Sequence, residues 1–348
     1  MINEIKKKSH AVKIYLLITL ALFIMIMFHG IDMRIAFSSF GKIAQNFSTI
    51  FISIILEAIP FIMLGAFISA LIQVFVTQET IIKILPKNQF LSLLGAGLMG
   101  LIFPVCECAV IPIARRLIKK GAPPGTATTF MLAVPLVNPV VMLSTYYAFY
   151  NNIKMVVIRG VFGFIAAVVI GFIVGHLEND NEVLKDSYDA DDSQCFCGCG
   201  NNYEYHRNKS KLSAVLGHTS SELYNIGRYL IMGALISAAF QTIVSKNSLA
   251  FMGNHLIYSV FVMMALAFVM SVCSAADAFI AQSFMGQFTI GSIIAFLILG
   301  PMIDIKNTMM LRSSFKEKYV FNVITYVVFT CCAIGFLINT LALFGVIR

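Results

Sequence analysis

Long apolar stretches alternate with short polar breaks along the whole chain, near residues 14–30, 46–76, 90–118, 124–149, 154–176, 222–244, 255–284, 289–311 and 319–346. A helix needs about 20 apolar residues to cross a hydrocarbon core of about 30 Å, and most of these stretches reach that length. Two of them are interrupted. Residues 90–118 break at Pro104 and the Cys106-Glu107-Cys108 triplet. The arms that remain, about 14 residues each, would reach only about 21 Å as helices. Residues 255–284 break in the same manner at Cys273-Ser274-Ala275-Ala276-Asp277. Both interrupted segments therefore read as re-entrant hairpins.

The pattern is also written twice. Gly65-Ala66-x-Ile68-Ser69-Ala70-x-x-Gln73 returns as Gly233-Ala234-x-Ile236-Ser237-Ala238-x-x-Gln241. Val105-Cys106 returns as Val272-Cys273, and Pro135-Leu136-Val137-Asn138 returns as Pro301-Met302-Ile303-Asp304. Three matches in order, at offsets of 168, 167 and 166, mark an internal duplication. Duplicated apolar halves with breaks at matching places are characteristic of secondary transporters.

Composition fixes the class. With 59% hydrophobic and 12% charged residues and a mean hydropathy of +0.86, the chain carries more apolar surface than a soluble domain can hide. The formal charge of +8 is the Lys and Arg excess that orients membrane loops, and no basic stripe interleaved with aromatics suggests nucleic acid. Residues 1–13 carry four lysines before the apolar run 14–28, which reads as a retained first helix rather than a cleaved leader.

Charge then arbitrates the topology. If all nine segments cross, the 25 basic residues divide 13 inside to 12 outside. If the two interrupted segments are re-entrant and the N-terminus is inside, they divide 19 to 6, which the positive-inside rule favours. Seven crossings result, and the second half is inverted relative to the first. The expected fold is thus an all-α polytopic membrane protein of two inverted repeats. Each repeat holds a re-entrant broken hairpin and proline-broken helices, and an extra N-terminal helix precedes them. The divisions are a cytosolic tail and first helix over 1–45, a first repeat over 46–176, a cytosolic linker over 177–217 and a second repeat over 218–348.

Acidic groups at membrane depth are costly, so Glu107, Asp277 and Asp304 are candidates for a substrate or ion pathway. Cys106 and Cys108 flank Glu107, and Cys273 could add a third sulfur for a soft metal or metalloid; small buried thiols at a tight turn are the alternative. Pro135-x-x-Asn138-Pro139 and Pro301-x-x-Asp304 should unwind two helices, giving either cation or proton sites or locally capped kinks. Gly65, Ser69, Gly233 and Ser237 suit close helix packing, while Gln73 and Gln241 divide between interhelical bonding and pathway lining. In the linker, Cys195, Cys197 and Cys199 could take a soft metal or be incidental. The Arg115-Arg116-x-x-Lys119-Lys120 cluster reads as a cytosolic anchor. No nucleotide-binding, zinc-protease or serine-hydrolase motif occurs, so neither an enzyme nor a cofactor is expected.

Phe103-Pro104-Val105-Cys106-Glu107-Cys108, with Pro112, Gly121-Ala122-Pro123 and Pro135-Leu136-Val137-Asn138-Pro139, resembles the ArsP-like family of predicted permeases over residues 46 to 346. The resemblance implies a multi-pass permease of the bacterial plasma membrane. Some members export trivalent organoarsenicals through cysteines, which would make Cys106, Cys108 and Cys273 ligands. Others resemble one subunit of a two-component permease complex, paired with a second small membrane protein and linked to acid tolerance. Glu107 stands where the arsenical exporters would carry a small residue. The expected partners are the lipid bilayer, a small solute or ion and a second small membrane subunit. The leading function is proton-coupled alternating access. The rivals are a subunit of a complex for acid or ion homeostasis and an intramembrane thiol–disulfide electron carrier.

Overall fold

The computed structural model describes residues 33–75, 86, 88–101, 106–178, 183–185, 211–243 and 256–344. The predicted first helix near 14–30, most of the linker with Cys195, Cys197 and Cys199, and the side chain of Gln73 lie outside the described residues. Among the described residues twelve α-helices fall into two sets of six. The first set is α1 (Met33–Phe75), α2 (Gln89–Leu98, continued as a 3-10 turn to Leu101), α3 (Glu107–Lys119), α4 (Pro124–Val137), α5 (Pro139–Ala148) and α6 (Ile153–Leu177). The second is α7 (Lys211–Ile243), α8 (Leu256–Met270), α9 (Asp277–Ser283), α10 (Ile290–Met302), α11 (Ile305–Ser314) and α12 (Glu317–Leu343).

The order is the same in both sets: a long helix, two short helices either side of a break, two half-helices, and a second long helix. Among the described residues six stretches are long and apolar enough to cross a membrane: Ile43–Ile72, Pro124–Ala148, Ile153–Leu177, Val215–Thr242, Ile290–Ser314 and Glu317–Leu343. The two interrupted segments supply only short helices, of 13 residues at Glu107–Lys119 and 15 at Leu256–Met270, below the length a crossing needs.

Equivalent residues make the same breaks. The Cys106 carbonyl accepts the backbone N–H groups of Ala109 and Val110 to open α3. The Cys273 carbonyl accepts those of Ala276 and Asp277 to open α9, 167 positions later. The half-helices start alike as well: Asn138 Oδ1 accepts Val140 N–H at 2.9 Å, and Asp304 Oδ1 accepts Asn307 N–H at 2.5 Å. Each side chain is an N-cap satisfying donors that a helix start leaves open.

The all-round apolar helices α4 and α10 form the centre. Every residue of Pro124–Val137 is buried, and Gly291–Met302 likewise. Each packs on the last long helix of its own set, α4 on α6 and α10 on α12, through facing glycines. A Cβ at Gly125 would stand 2.4 Å from Gly171 O, and one at Gly291 would stand 2.2 Å from Gly335 O. Backbone oxygen cannot step aside, so Gly125→Ala should destabilise the fold by about 1–3 kcal/mol. Gly95→Ala, with no atom within 4 Å, should not. Denaturation midpoints in detergent compare the two.

The contacts between the sets are reciprocal. Helix α3 packs on α11 and its counterpart α9 packs on α5, while α4 meets α10 and α6 meets α12. Corresponding helices thus meet across the two sets, and α10 also touches α6. The small-residue motif is used differently in the two sets. A Cβ at Gly65 on α1 would stand 2.6 Å from Ala109 Cα in α3, whereas one at Gly233 on α7 would stand 2.8 Å from Lys306 Cα in α11. Ser69 donates to the Pro112 carbonyl at 3.4 Å. Ser237 and Gln241 both donate to the Met270 carbonyl, at 3.3 and 2.6 Å, closing the orphan end of α8.

Candidate functional site

Where the two sets meet, the breaks bring five ionisable side chains into one buried network. Glu107, in the first turn of α3, accepts from Lys306 Nζ at 3.3 Å through Oε1 and from Ser274 Oγ at 3.2 Å through Oε2. Lys306 Nζ also lies 3.8 Å from Asp304 Oδ2. The Ser274 carbonyl accepts from Arg159 Nη2 at 3.1 Å, and the same nitrogen donates to Asp277 Oδ2 at 2.8 Å. Arg159 Nη1 completes the chain by donating to Thr145 Oγ1 at 2.7 Å. Glu107, Arg159, Asp277, Asp304 and Lys306 are each 4% exposed or less.

Ser274 is the 167-offset counterpart of Glu107, and the two bond to each other. That hydrogen bond joins corresponding positions of the two sets and has one ion pair on either side. Glu107–Lys306 joins the break of the first set to a half-helix of the second. Arg159–Asp277 joins α6 of the first set to the break of the second.

All three carboxylates stand at helix starts: Glu107 and Asp277 are first residues of α3 and α9, and Asp304 caps α11. A helix N-terminus stabilises an anion by about 0.3–2 kcal/mol, which accounts for their placement. It does not replace a counter-ion, because removing a charge from water costs several kcal/mol. At 3.3 Å and an effective dielectric near 20, Coulomb attraction in Glu107–Lys306 is about 5 kcal/mol, comparable with that cost. Such a pair adds little net stability while making the loss of either partner expensive.

A small cavity of about 10 Å³, room for roughly one water, opens beside Glu107. Its lining includes Cys106, Cys108, Cys273, Ser271, Glu57 and Lys306. The three thiols thus share one pocket, and Cys108 Sγ lies 3.9 Å from Asn307 Oδ1. Among the described residues no group of three or more His, Cys, Asp or Glu side chains is arranged to hold a metal ion.

The remaining candidates have definite places. Asn138 is a buried cap, and its side-chain oxygen is engaged by its own helix. Gly65, Ser69, Gly233, Ser237 and Gln241 fasten α1 and α7 to the broken segments. Arg115 and Arg116 correct an expectation: at 1% and 4% exposure they are packed inside the protein, not spread on a membrane surface as an anchor. Every residue of α3 from Glu107 to Arg116 is buried, so the packing that covers the helix encloses its two arginines as well. Sequence reasoning missed Lys306 and Arg159. Both lie inside apolar segments, where a basic residue is a candidate partner for a buried acid.

The class follows from spans, breaks and a buried polar network: a polytopic membrane protein with discontinuous helices. The chain belongs to the ArsP-like family of predicted permeases, whose profile matches residues 43–340. It is 44% identical over 281 residues to the UPF0718 protein YcgR of Bacillus subtilis, covering 81% of this chain and 92% of that one. It is 38% identical over 271 residues to a Streptococcus mutans protein named as a candidate subunit of a two-component membrane permease complex, covering 78% and 87%. No solved structure matches the chain.

Proposed function

We propose that the chain is a secondary permease that moves a small solute or ion by alternating access, with protons taken up by the buried carboxylates. The observation that carries this reading is the network itself. Two broken segments and a broken helix contribute charged side chains to one junction, and the ion pairs that join the two sets lie in it. Irregular backbone at membrane depth is tolerated where it is buried in protein or lines a cavity, and here it does both. The three thiols beside Glu107 favour a thiophilic cation or metalloid as cargo.

With both interrupted segments re-entrant, each set makes three crossings, so its counterpart enters from the opposite face. The duplication is then inverted, the N-terminus and the linker face the cytosol, and the pseudo-axis lies in the membrane plane. Lys119 to Ala122 should be labelled from the cytosolic side.

The test is flux in proteoliposomes under an imposed pH gradient, across a panel of alkali-metal cations, thiophilic cations and metalloid acids. Wild-type protein should move one class of cargo. Glu107→Gln should abolish its coupling to the gradient, and Cys106→Ser should weaken transport of thiophilic cargo only. Unchanged flux in both variants would remove the site. A second reading, that a small partner subunit completes the permease, is favoured by the description of the Streptococcus mutans relative. Flux that requires a co-purifying subunit would decide for it.

A further inference from the structure

The five charges of the network do not cancel. Glu107, Asp277 and Asp304 supply three negative charges, while Arg159 and Lys306 supply two positive ones. One unit of negative charge at this depth lacks a partner within the network, and the helix N-termini at about 0.3–2 kcal/mol each do not cover the cost of several kcal/mol. Arg115 and Arg116 follow eight and nine residues further along α3, about 12 Å of helix rise beyond Glu107.

Geometry shows which carboxyl is short of a partner. Both oxygens of Glu107 accept hydrogen bonds. Asp277 also leaves one buried oxygen, Oδ1, without a hydrogen bond, but its Oδ2 holds Arg159 in a direct ion pair at 2.8 Å, and that guanidinium is fixed by two further acceptors. Asp304 spends Oδ1 on the cap of α11, and no hydrogen bond reaches its buried Oδ2. The groups facing it are Lys306 and Asn307 of its own helix, Glu107 of the first break and Ser271 of the second. Its one nearby cation is the ammonium that Glu107 already engages.

We propose that Lys306 is a tethered counter-ion shuttling between Glu107 and Asp304, so that a monovalent cation binding at Glu107 is exchanged for a proton held on Asp304. This rests on the permease reading of the same site. In the resting state Lys306 neutralises Glu107, and Asp304 carries the proton on Oδ2. A cation entering the cavity takes over the Glu107 carboxylate. The Lys306 ammonium moves about 1 Å to hydrogen-bond distance of Asp304 Oδ2, and the Asp304 proton leaves to water. One positive charge enters and one leaves, so the network and its cargo are neutral before and after. Neither Lys306 nor Arg159 has a basic counterpart in the other set: at the offset of 166, Val140 and Thr325 stand there. The exchange is therefore built on one side of the pseudo-axis.

The test needs no knowledge of the cargo. Infrared spectra of the full chain in lipid nanodiscs at neutral pH should contain the carbonyl stretch of one protonated carboxylic acid. That band should shift when aspartate carboxyls are labelled with carbon-13. In Asp304→Glu it should persist but no longer shift, because the proton follows the position. In Glu107→Gln it should disappear although Asp304 is intact, since the freed Lys306 then ionises Asp304. A wild-type protein with no acid band would overturn the relay. So would a band that still shifts in Asp304→Glu, or one that survives in Glu107→Gln. The band pattern without any pH-driven flux would reject the permease reading and keep the relay. Flux without the band would do the reverse.

Discussion

Lys306→Met is expected to cost about 3–5 kcal/mol of stability. The methionine fills nearly the same volume beneath Gly233, so packing against α7 is kept and the charge alone is lost. Glu107 is then buried opposite an apolar chain, with Ser274 as its one remaining donor. The double variant Glu107→Gln/Lys306→Met removes both charges and should return to within about 1–2 kcal/mol of wild type, because a neutral pair of similar shape bears no desolvation cost. Unfolding midpoints for the four proteins form a double-mutant cycle. A coupling energy below about 0.5 kcal/mol would mean that the two side chains do not act on each other.

Arg159→Met should be nearly as damaging, at about 3–5 kcal/mol, but harder to rescue. Its guanidinium serves three acceptors, Asp277 Oδ2, the Ser274 carbonyl and Thr145 Oγ1. Neutralising Asp277 in Arg159→Met/Asp277→Asn removes the stranded charge yet leaves the Ser274 carbonyl without its donor. An unsatisfied buried acceptor costs about 1–3 kcal/mol, so rescue should stop short by that amount. The contrast between the two cycles separates a simple ion pair from a guanidinium that also holds backbone in place. Full rescue of Arg159→Met by Asp277→Asn would show that the carbonyl contact carries no weight.

Much of this architecture was legible in the amino-acid order, for identifiable reasons. Apolar run length gave the six spans of the described residues, and Pro104 with its neighbours gave a segment too broken to be a seventh. The offset between Cys106 and Cys273 located two turns that close with the same backbone bonds. Glu107, Asp277 and Asp304 stood out because acids in apolar segments need a reason to be there. Asn138 was legible in part: Asn followed by Pro is the signature of an N-cap and first helical residue, and the side chain does that work.

The cations were harder to read. Lys306 and Arg159 each lie near the end of an apolar segment, where a basic residue reads as a loop charge. Removing both leaves 18 inside against 5 outside, so the topology never needed them. Their partners sit 199 and 118 positions away along the chain, a separation no local pattern encodes. Only the fold brings Lys306 to Glu107, because α11 of one set packs on α3 of the other. The meeting of Glu107 with Ser274 shows in the duplication only as unlike residues at equivalent positions. Its meaning depends on knowing that equivalent residues near a two-fold axis face each other.

The measurement that bears most directly on the buried network as a transport pathway is pH-gradient-driven flux through Glu107→Gln/Lys306→Met in proteoliposomes. This variant separates folding from transport, since its charges are gone while its shape and stability are retained. A folded, well-incorporated protein with no coupled flux is the predicted result. Flux at the wild-type rate through that neutral pair would contradict it.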